Sequence, residues 1–185
     1  MSIVFRAATE ADAPTLAAIY GPHVVQSGVS FEDKAPDAME MARRIGASPL
    51  YPWIVAEREG VVIGFASASR FRERAAYRWA VETSVYISGD MQGQGFGRML
   101  YRALIATLTE QGFTQAIASI TLPNEKSIDL HEAVGFQRGG VFRAVGWKQG
   151  QWRDVGVWQH DLAYDDNARP PEEPRSFAEV GVIHG

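Results

Sequence analysis

The sequence predicts an α/β fold on a mixed sheet, in a single domain. Three observations carry this expectation. Segments rich in β-branched and aromatic residues alternate with segments whose apolar residues recur every three to four positions. Hairpin signals stand towards both ends of the chain, at Glu59-Gly60 and Lys148-Gln149-Gly150. The 185 residues, 46% hydrophobic and 22% charged, suffice for one sizeable core.

Ile3 to Ala7 reads as a first strand. Thr9 follows as a helix N-cap with Asp12 three residues on, the spacing of a capping box. Leu16, Ile19, Tyr20 and Val24 fall at helical spacing, and Gly21-Pro22 inside that pattern predicts a kink or an early end. Residues 26–32 are polar and include Gly28, as a loop would. Pro36 suits the first turn of a second helix reaching about Ile45. Trp53 to Glu57 and Val61 to Ser69 form a hairpin around Glu59-Gly60, and residues 70–78 are a loop holding Arg70, Arg72, Arg74 and Arg78.

Trp79 to Ile87 reads as the central strand, Arg98 to Gln111 as a helix closed by Gly112, and Phe113 to Ile120 as a strand. A helix from Asn124 to about Val134 is ended by Gly135, and Val141 to Val145 and Asp154 to Asp161 complete the strands. These elements make up a domain over residues 1–163. The tail, 164–185, turns polar, with Asp165, Asp166, Glu172 and Glu173 beside Pro170, Pro171 and Pro174. It is expected to be disordered or an arm lying on a neighbour. No internal repeat is present.

Composition removes several function classes. With no cysteine, disulfides, thiolate metal sites and a cysteine nucleophile are excluded. A formal net charge of −4 without any basic run argues against a nucleic-acid partner. The N-terminus lacks the pattern of a signal peptide, and no apolar run approaches the ~18 residues of a membrane span. A cytoplasmic location is the expectation.

The chemistry centres on Gln92-Gly93-Gln94-Gly95-Phe96-Gly97, between the central strand and its helix. Glycines here let the backbone approach a ligand and gather several N–H groups into one concavity. The free N–H groups and dipole of the following helix make the loop a candidate phosphate site. A plain glycine-rich turn has the same spacing. A dinucleotide fingerprint needs G-x-G-x-x-G and a carboxylate about 20 residues on. The glycines instead run G-x-G-x-G, and the next strand ends Ser119-Ile120-Thr121-Leu122. A P-loop needs Gly-Lys-Ser/Thr, but Gly97 is followed by Arg98 and Met99, so both nucleotide alternatives fit poorly.

Read as Gln92, Gly95 and Gly97, the loop is Q-x-x-G-x-G and resembles the pyrophosphate loop of the GNAT superfamily of acetyl-CoA-dependent N-acyltransferases. Asn124 to Phe136 resembles that superfamily's second cofactor segment, in the right order. Trp79 to Ile87, Leu122-Pro123-Asn124, His131-Glu132-Ala133 and Asp154 to Gln159 are similar to the phosphinothricin and methionine sulfoximine acetyltransferases within it. The resemblance covers roughly residues 3–162.

It implies a GNAT-type sheet, mostly antiparallel and flanked by helices, and acetyl-CoA as co-substrate. It implies cofactor contacts from Val85, Tyr86 and Ile87, from Gln92, Gly93, Gln94, Gly95, Phe96, Gly97 and Arg98, and from Asn124 and Ser127. Asn124 is also read as a helix N-cap. Arg74, Tyr77 and Trp79 match a comparable Arg, Tyr and Trp of the phosphinothricin family, with Arg72 the next substrate-binding candidate. A guanidinium fork suits the carboxylate or phosphinate of an amino-acid analogue, although arginines in a polar loop are commonly just solvated. Arg78 stands where family members differ. Trp147, Trp152 and Trp158 read as core or dimer anchors, and the resemblance implies a homodimer.

Glu82 and His131 are the candidate catalytic residues. Glu82 sits mid-strand on one face with Ser84 and Tyr86, and is either a general base or a surface or ion-paired glutamate. His131 shares a helical face with Asn124, Ser127 and Ile128. It stands where many superfamily members carry a tyrosine, and as an acid or a base it suits neutral pH. A satisfied core histidine is the alternative. His23, His160 and His184 form no metal-ligand spacing with it, so no metal is expected.

The expected activity is acetyl transfer to the α-amine of phosphinothricin, methionine sulfoximine or a similar small molecule, by direct attack. Other readings are another small amine or a protein N-terminus as acceptor, and a non-catalytic acyl-CoA sensor. The last would have no use for Glu82 and His131 together.

Overall fold

The computed structural model describes residues 3–164 and 171–184. Seven strands form one sheet: β1 (Ile3–Ala7), β2 (Trp53–Arg58), β3 (Val61–Arg70), β4 (Ala80–Ile87), β5 (Gln115–Leu122), β6 (Gln137–Lys148) and β7 (Gln151–Asp161). Their order is β1-β2-β3-β4-β5-β7-β6, and every neighbouring pair is antiparallel except β4 with β5. The mixed, mostly antiparallel sheet is the one expected.

Strand alternation divides the core into two layers. On one face Val55 and Phe65 pack under α1 (Ala13–Val25) and α2 (Ala38–Ile45). On the other, Ile54, Ala56, Ala66 and Val81 meet Leu100, Tyr101, Leu104 and Leu108 of α3 (Phe96–Gln111). Each leucine so buried contributes about 1.5–3 kcal/mol. The helix ends where Gly112 takes the left-handed conformation (φ 92°). The helix α4 (Glu125–Ala133) follows β5, and its N-cap is Asn124, whose Oδ1 accepts from Ser127 N at 3.3 Å.

Several boundaries differ from the sequence reading. The first helix runs through Pro22 to Val25, because buried Tyr20 and Val24 hold its last turn and the Pro22 carbonyl still accepts from Gln26 N at 2.9 Å. The second starts at Ala38, after the N-cap Asp37, whose carboxylate accepts from Glu40 N at 2.8 Å; Pro36 lies outside it. β6 and β7 are longer than expected, since pairing with each other extends them where neither alternates well.

The expectation for the tail, 164–185, falls in part on residues 165–170 and 185, outside the described residues. Residues 171–184 lie on this chain's own α3. Arg175 N donates to Gln111 O, and Gln111 Nε2 donates to Arg175 O, both at 2.8 Å. Ile183 N reaches Thr107 Oγ1 at 3.0 Å. A four-residue helix, α5 (Phe177–Val180), places Phe177 against the core.

Candidate active site

β4 and β5 pair only at Ala80↔Gln115, Val81↔Ala116 and Glu82↔Ile117, although β4 continues to Ile87 and β5 to Leu122. Beyond Glu82 the two strands part. Ser88 N bonds Ile63 O on β3, so by alternation the N–H groups of Val85 and Ile87 point towards the opened edge. They are donors without a strand to pair with.

Glu82 sits at the apex of this gap. Its Oε1 accepts from Ser119 Oγ at 2.6 Å, and it forms no ion pair among the described residues. The ion-paired alternative is therefore not what the structure has. Glu82 pairs with Ser69 of β3, and Ser69 lines a cavity of about 400 Å³ on the α1/α2 face. Tyr20, Tyr51, Trp53, Phe65 and Tyr86 give that cavity aromatic walls. Ser67, Ser84, Glu32 and Arg44 supply its polar groups. Arg44 grips Glu32 through two bonds of 2.8 and 2.9 Å, which holds the Glu32 carboxyl below its ordinary range. Tyr20 donates to the same carboxylate at 2.8 Å. The family resemblance implies that the first two helices line the acceptor site, and the cavity does lie beneath them; its lining residues on β3 and β4 were not picked out from the sequence.

His131 is 5% exposed, on the opposite, α3/α4 face. Its Nδ1 lies 2.6 Å from Ser127 O, so Nδ1 carries the hydrogen and Nε2 the free lone pair. Ser127 Oγ stands 3.3 Å from the same nitrogen. Burial lowers the pKa of the imidazole, opposed by that carbonyl, and the ring is neutral at pH 7. Tyr101 and Phe136 meet it edge-on at 5.0 and 5.3 Å between centroids. No hydrogen bond joins His131 to Glu82; they flank the gap from its two faces.

The glycine loop lies at the far end of β4. Gly93 and Gly95 have φ of 75° and 85°, and a Cβ on either would meet nothing within 4 Å. The N–H groups of Phe96, Gly97 and Arg98 precede the first intrahelical bond, from Met99 N to Gly95 O, and no side chain caps them. Such an open cradle at a helix N-terminus fits a diphosphate. Gln92 Nε2 donates to Ile87 O at 3.1 Å and Gln94 Nε2 to Asp90 O at 3.1 Å, so these side chains shape the loop. Asn124 and Ser127 are spent locally, on the first turn of α4 and on His131.

The arginine loop is not among the residues lining the cavity. Arg72 stacks over Phe71 and Tyr77 at 5.0 and 5.8 Å, and neither it nor Arg74 forms an ion pair among the described residues. Arg70 pairs with Glu73, and Arg78 with Glu173 of the tail. Trp79 donates its Nε1–H to Glu172 O at 2.9 Å. Among the described residues there is no metal-binding group, and no helix is long and apolar enough to cross a membrane.

A family model described as an acetyltransferase (GNAT) domain matches residues 5–157. The chain belongs to the GNAT acetyltransferase family. It is 40% identical, over 91% of its length and 92% of the relative's, to a phosphinothricin N-acetyltransferase from Streptomyces viridochromogenes. It is 34% identical to an L-methionine sulfoximine/L-methionine sulfone acetyltransferase from Salmonella typhimurium, covering 91% of this chain and 98% of the relative. Among solved structures, a GNAT phosphinothricin acetyltransferase from Sinorhizobium meliloti in complex with acetyl-CoA superposes with a TM-score of 0.86 at 39% identity, covering 94% of this chain and 95% of that one.

Proposed function

We propose that this chain transfers the acetyl group of acetyl-CoA to the α-amine of a small amino-acid analogue, of which phosphinothricin and methionine sulfoximine are examples. The observation that carries the reading is the gap between β4 and β5: it has a carboxylate at its apex, an aromatic cavity beside that carboxylate and a diphosphate cradle at its far end. The names and coverage of the relatives support the acceptor class.

Gly93 to Arg98 would hold the diphosphate, and the N–H groups of Val85 and Ile87 the arm that leads to the thioester. Bound there, acetyl-CoA supplies an activated acyl group. Glu82 takes the first proton, from the acceptor's ammonium, and releases it to solvent. The neutral amine attacks the thioester carbonyl, and N–H groups of the opened β4 edge face the developing negative charge. His131 starts neutral, so Nε2 accepts the second amine proton and then returns it to the departing thiolate. No cysteine or other covalent carrier is required. Arg72 and Arg74 are proposed to reach the acceptor's acidic group when the arginine loop closes on it.

Exposed Trp147 and Trp152, 60% and 63% exposed on β6 and β7, support assembly into a homodimer through that hairpin. Trp158 is core instead, with its Nε1–H on Glu132 Oε1 at 3.1 Å.

The test is release of free CoA thiol from acetyl-CoA across phosphinothricin, methionine sulfoximine, common amino acids, polyamines and a peptide N-terminus. Saturable turnover with the amino-acid analogues is expected. Turnover confined to polyamines or the peptide would refute the acceptor class, and acetyl-CoA binding without turnover on any amine would refute the activity.

A further inference from the structure

We infer that the Thr83–Tyr101 hydroxyl pair is a positioning device for this reaction, fixing where β4 and β5 part and thereby setting Glu82 and His131 relative to each other. The inference rests on the acetyl-transfer reading above. Tyr101 Oη lies 2.7 Å from Thr83 Oγ1, and Thr83 Oγ1 lies 3.2 Å from Ile117 O. A carbonyl can only accept, so the Thr83 hydroxyl donates to Ile117 O. Tyr101 must then donate to Thr83, since each hydroxyl has one hydrogen. The result is a single ordered chain from α3, through β4, to β5.

Its place is what gives it meaning. Ile117 is the partner of Glu82 in the last pair of the parallel ladder, and Thr83 is the first residue beyond it. The gap is thus bridged at its apex on both faces: by Ser119 to Glu82 on the cavity side, and by Tyr101, Thr83 and Ile117 on the α3 side. The chain also ties the candidate catalytic groups together. Thr83 follows Glu82 in sequence, while the Tyr101 ring meets His131 edge-on at 5.0 Å and 89°. A strand parting one residue earlier or later would move Glu82 to a different place against the cavity.

Stability does not call for the pair. Both residues are buried in the apolar layer beneath α3, where Val and Phe would fill the same space. Replacing both partners of a buried hydrogen bond by apolar groups of the same shape is nearly neutral. Nor is Tyr101 placed to give up its proton, because burial raises its pKa well above the ordinary phenol value and its O–H is aimed at Thr83. What the hydroxyls add is register: a bond that forms only when β4, β5 and α3 stand in one arrangement.

The experiment compares Thr83→Val, Tyr101→Phe, the double variant and Thr83→Ser, by kcat and KM for both substrates, thermal midpoint, and hydrogen exchange of the amides in residues 83–87. Each single apolar variant is expected to lose about tenfold to about a hundredfold in kcat, the scale of a misplaced reacting group, with KM for acetyl-CoA little changed. Exchange is expected to rise at residues 83–87 other than Val85 and Ile87, whose N–H groups already face the opened edge, while that of β2 and β3 does not. The double variant, with no stranded hydroxyl, should regain the midpoint but not kcat, and Thr83→Ser should keep both. Recovery of kcat in step with the midpoint would reduce the pair to packing and overturn the inference. So would unchanged kcat and exchange in the single variants of an active enzyme. Wild-type protein that turned over no amine would instead refute the activity itself, while the exchange data would still report on the strand junction.

Discussion

Replacing Glu82 by Gln isolates the role of its charge. The carboxamide has the same shape, and its oxygen still accepts from Ser119 Oγ, which lies 2.6 Å from the carboxylate. The fold cost is therefore the difference between a charged and a neutral acceptor, about 1 kcal/mol, or about 2–4 °C in midpoint for a chain of this size. The catalytic cost is larger. General-base assistance contributes about 10²–10⁴-fold, equivalent to about 2.7–5.4 kcal/mol at the transition state. Without the base, only acceptor already neutral in solution reacts, and that fraction grows about tenfold per pH unit below the amine's pKa. For the variant, kcat/KM for an α-amine acceptor, of pKa about 7.7–8, should therefore climb about fourfold to about sixfold from pH 7 to pH 8, narrowing the gap to wild type by a similar factor. Initial rates of CoA thiol release at saturating acetyl-CoA measure this directly. A variant within about twofold of wild type at pH 7, or a deficit that does not narrow with pH, would refute Glu82 as the base.

Other consequences follow from the same geometry. Burial lowers the pKa of His131, and also of His23 and His160, so the folded chain binds fewer protons at these sites than the unfolded one. Their contribution to stability is full above the unfolded histidine value of about 6.5 and is lost as pH falls through the folded values. Thermal midpoints should therefore decline below about pH 6.5, and kcat should show an acid limb below the same point; a flat midpoint between pH 7 and pH 5 would contradict this. Gly95→Ala puts a side chain at φ 85°, where it meets no atom within 4 Å, so the strain of about 1–2 kcal/mol should appear chiefly as a raised KM for acetyl-CoA. An unchanged KM would remove the loop from the cofactor site. Deleting residues 171–185 removes the contacts to Gln111, Thr107 and Trp79 and the burial of Phe177, and should lower stability by about 2–4 kcal/mol in denaturant titrations. An unchanged denaturation midpoint would mean that these contacts contribute nothing. A Trp147→Glu, Trp152→Glu variant should sediment as a monomer if the β6–β7 hairpin joins two copies, and an unchanged mass would move the interface elsewhere.

The parts of the fold legible in the sequence are those decided locally. Gly95 and Gly112 mark the start and end of α3 because a left-handed cap admits little else, and the apolar spacing of Leu100, Leu104 and Leu108 supplies the rest. Asn124 as the cap of α4 is local in the same way. The parting of β4 from β5 is not, because nothing in the alternation of Val81, Glu82 and Thr83 says where a parallel partner stops. The partners of Glu82 and His131 were out of reach for the same reason: Ser119 stands 37 residues from Glu82, and Tyr101 lies on another helix from His131. The cavity draws on α1, α2, β3 and β4 together, so the spacing of residues in any one element does not show it; the family resemblance pointed only to the first two helices. Gly21-Pro22 predicts a kink or an early end because proline's own chemistry argues for one, and the packing of Tyr20 and Val24 overrides the early end.

Direct transfer is tested most sharply by initial rates with acetyl-CoA and phosphinothricin varied against each other. Both must occupy the gap between β4 and β5 at once, so reciprocal plots should intersect, and no acetylated protein should appear by mass when acetyl-CoA is supplied alone. Parallel lines, or a stable acetyl-enzyme, would contradict direct attack and require a covalent carrier on this chain.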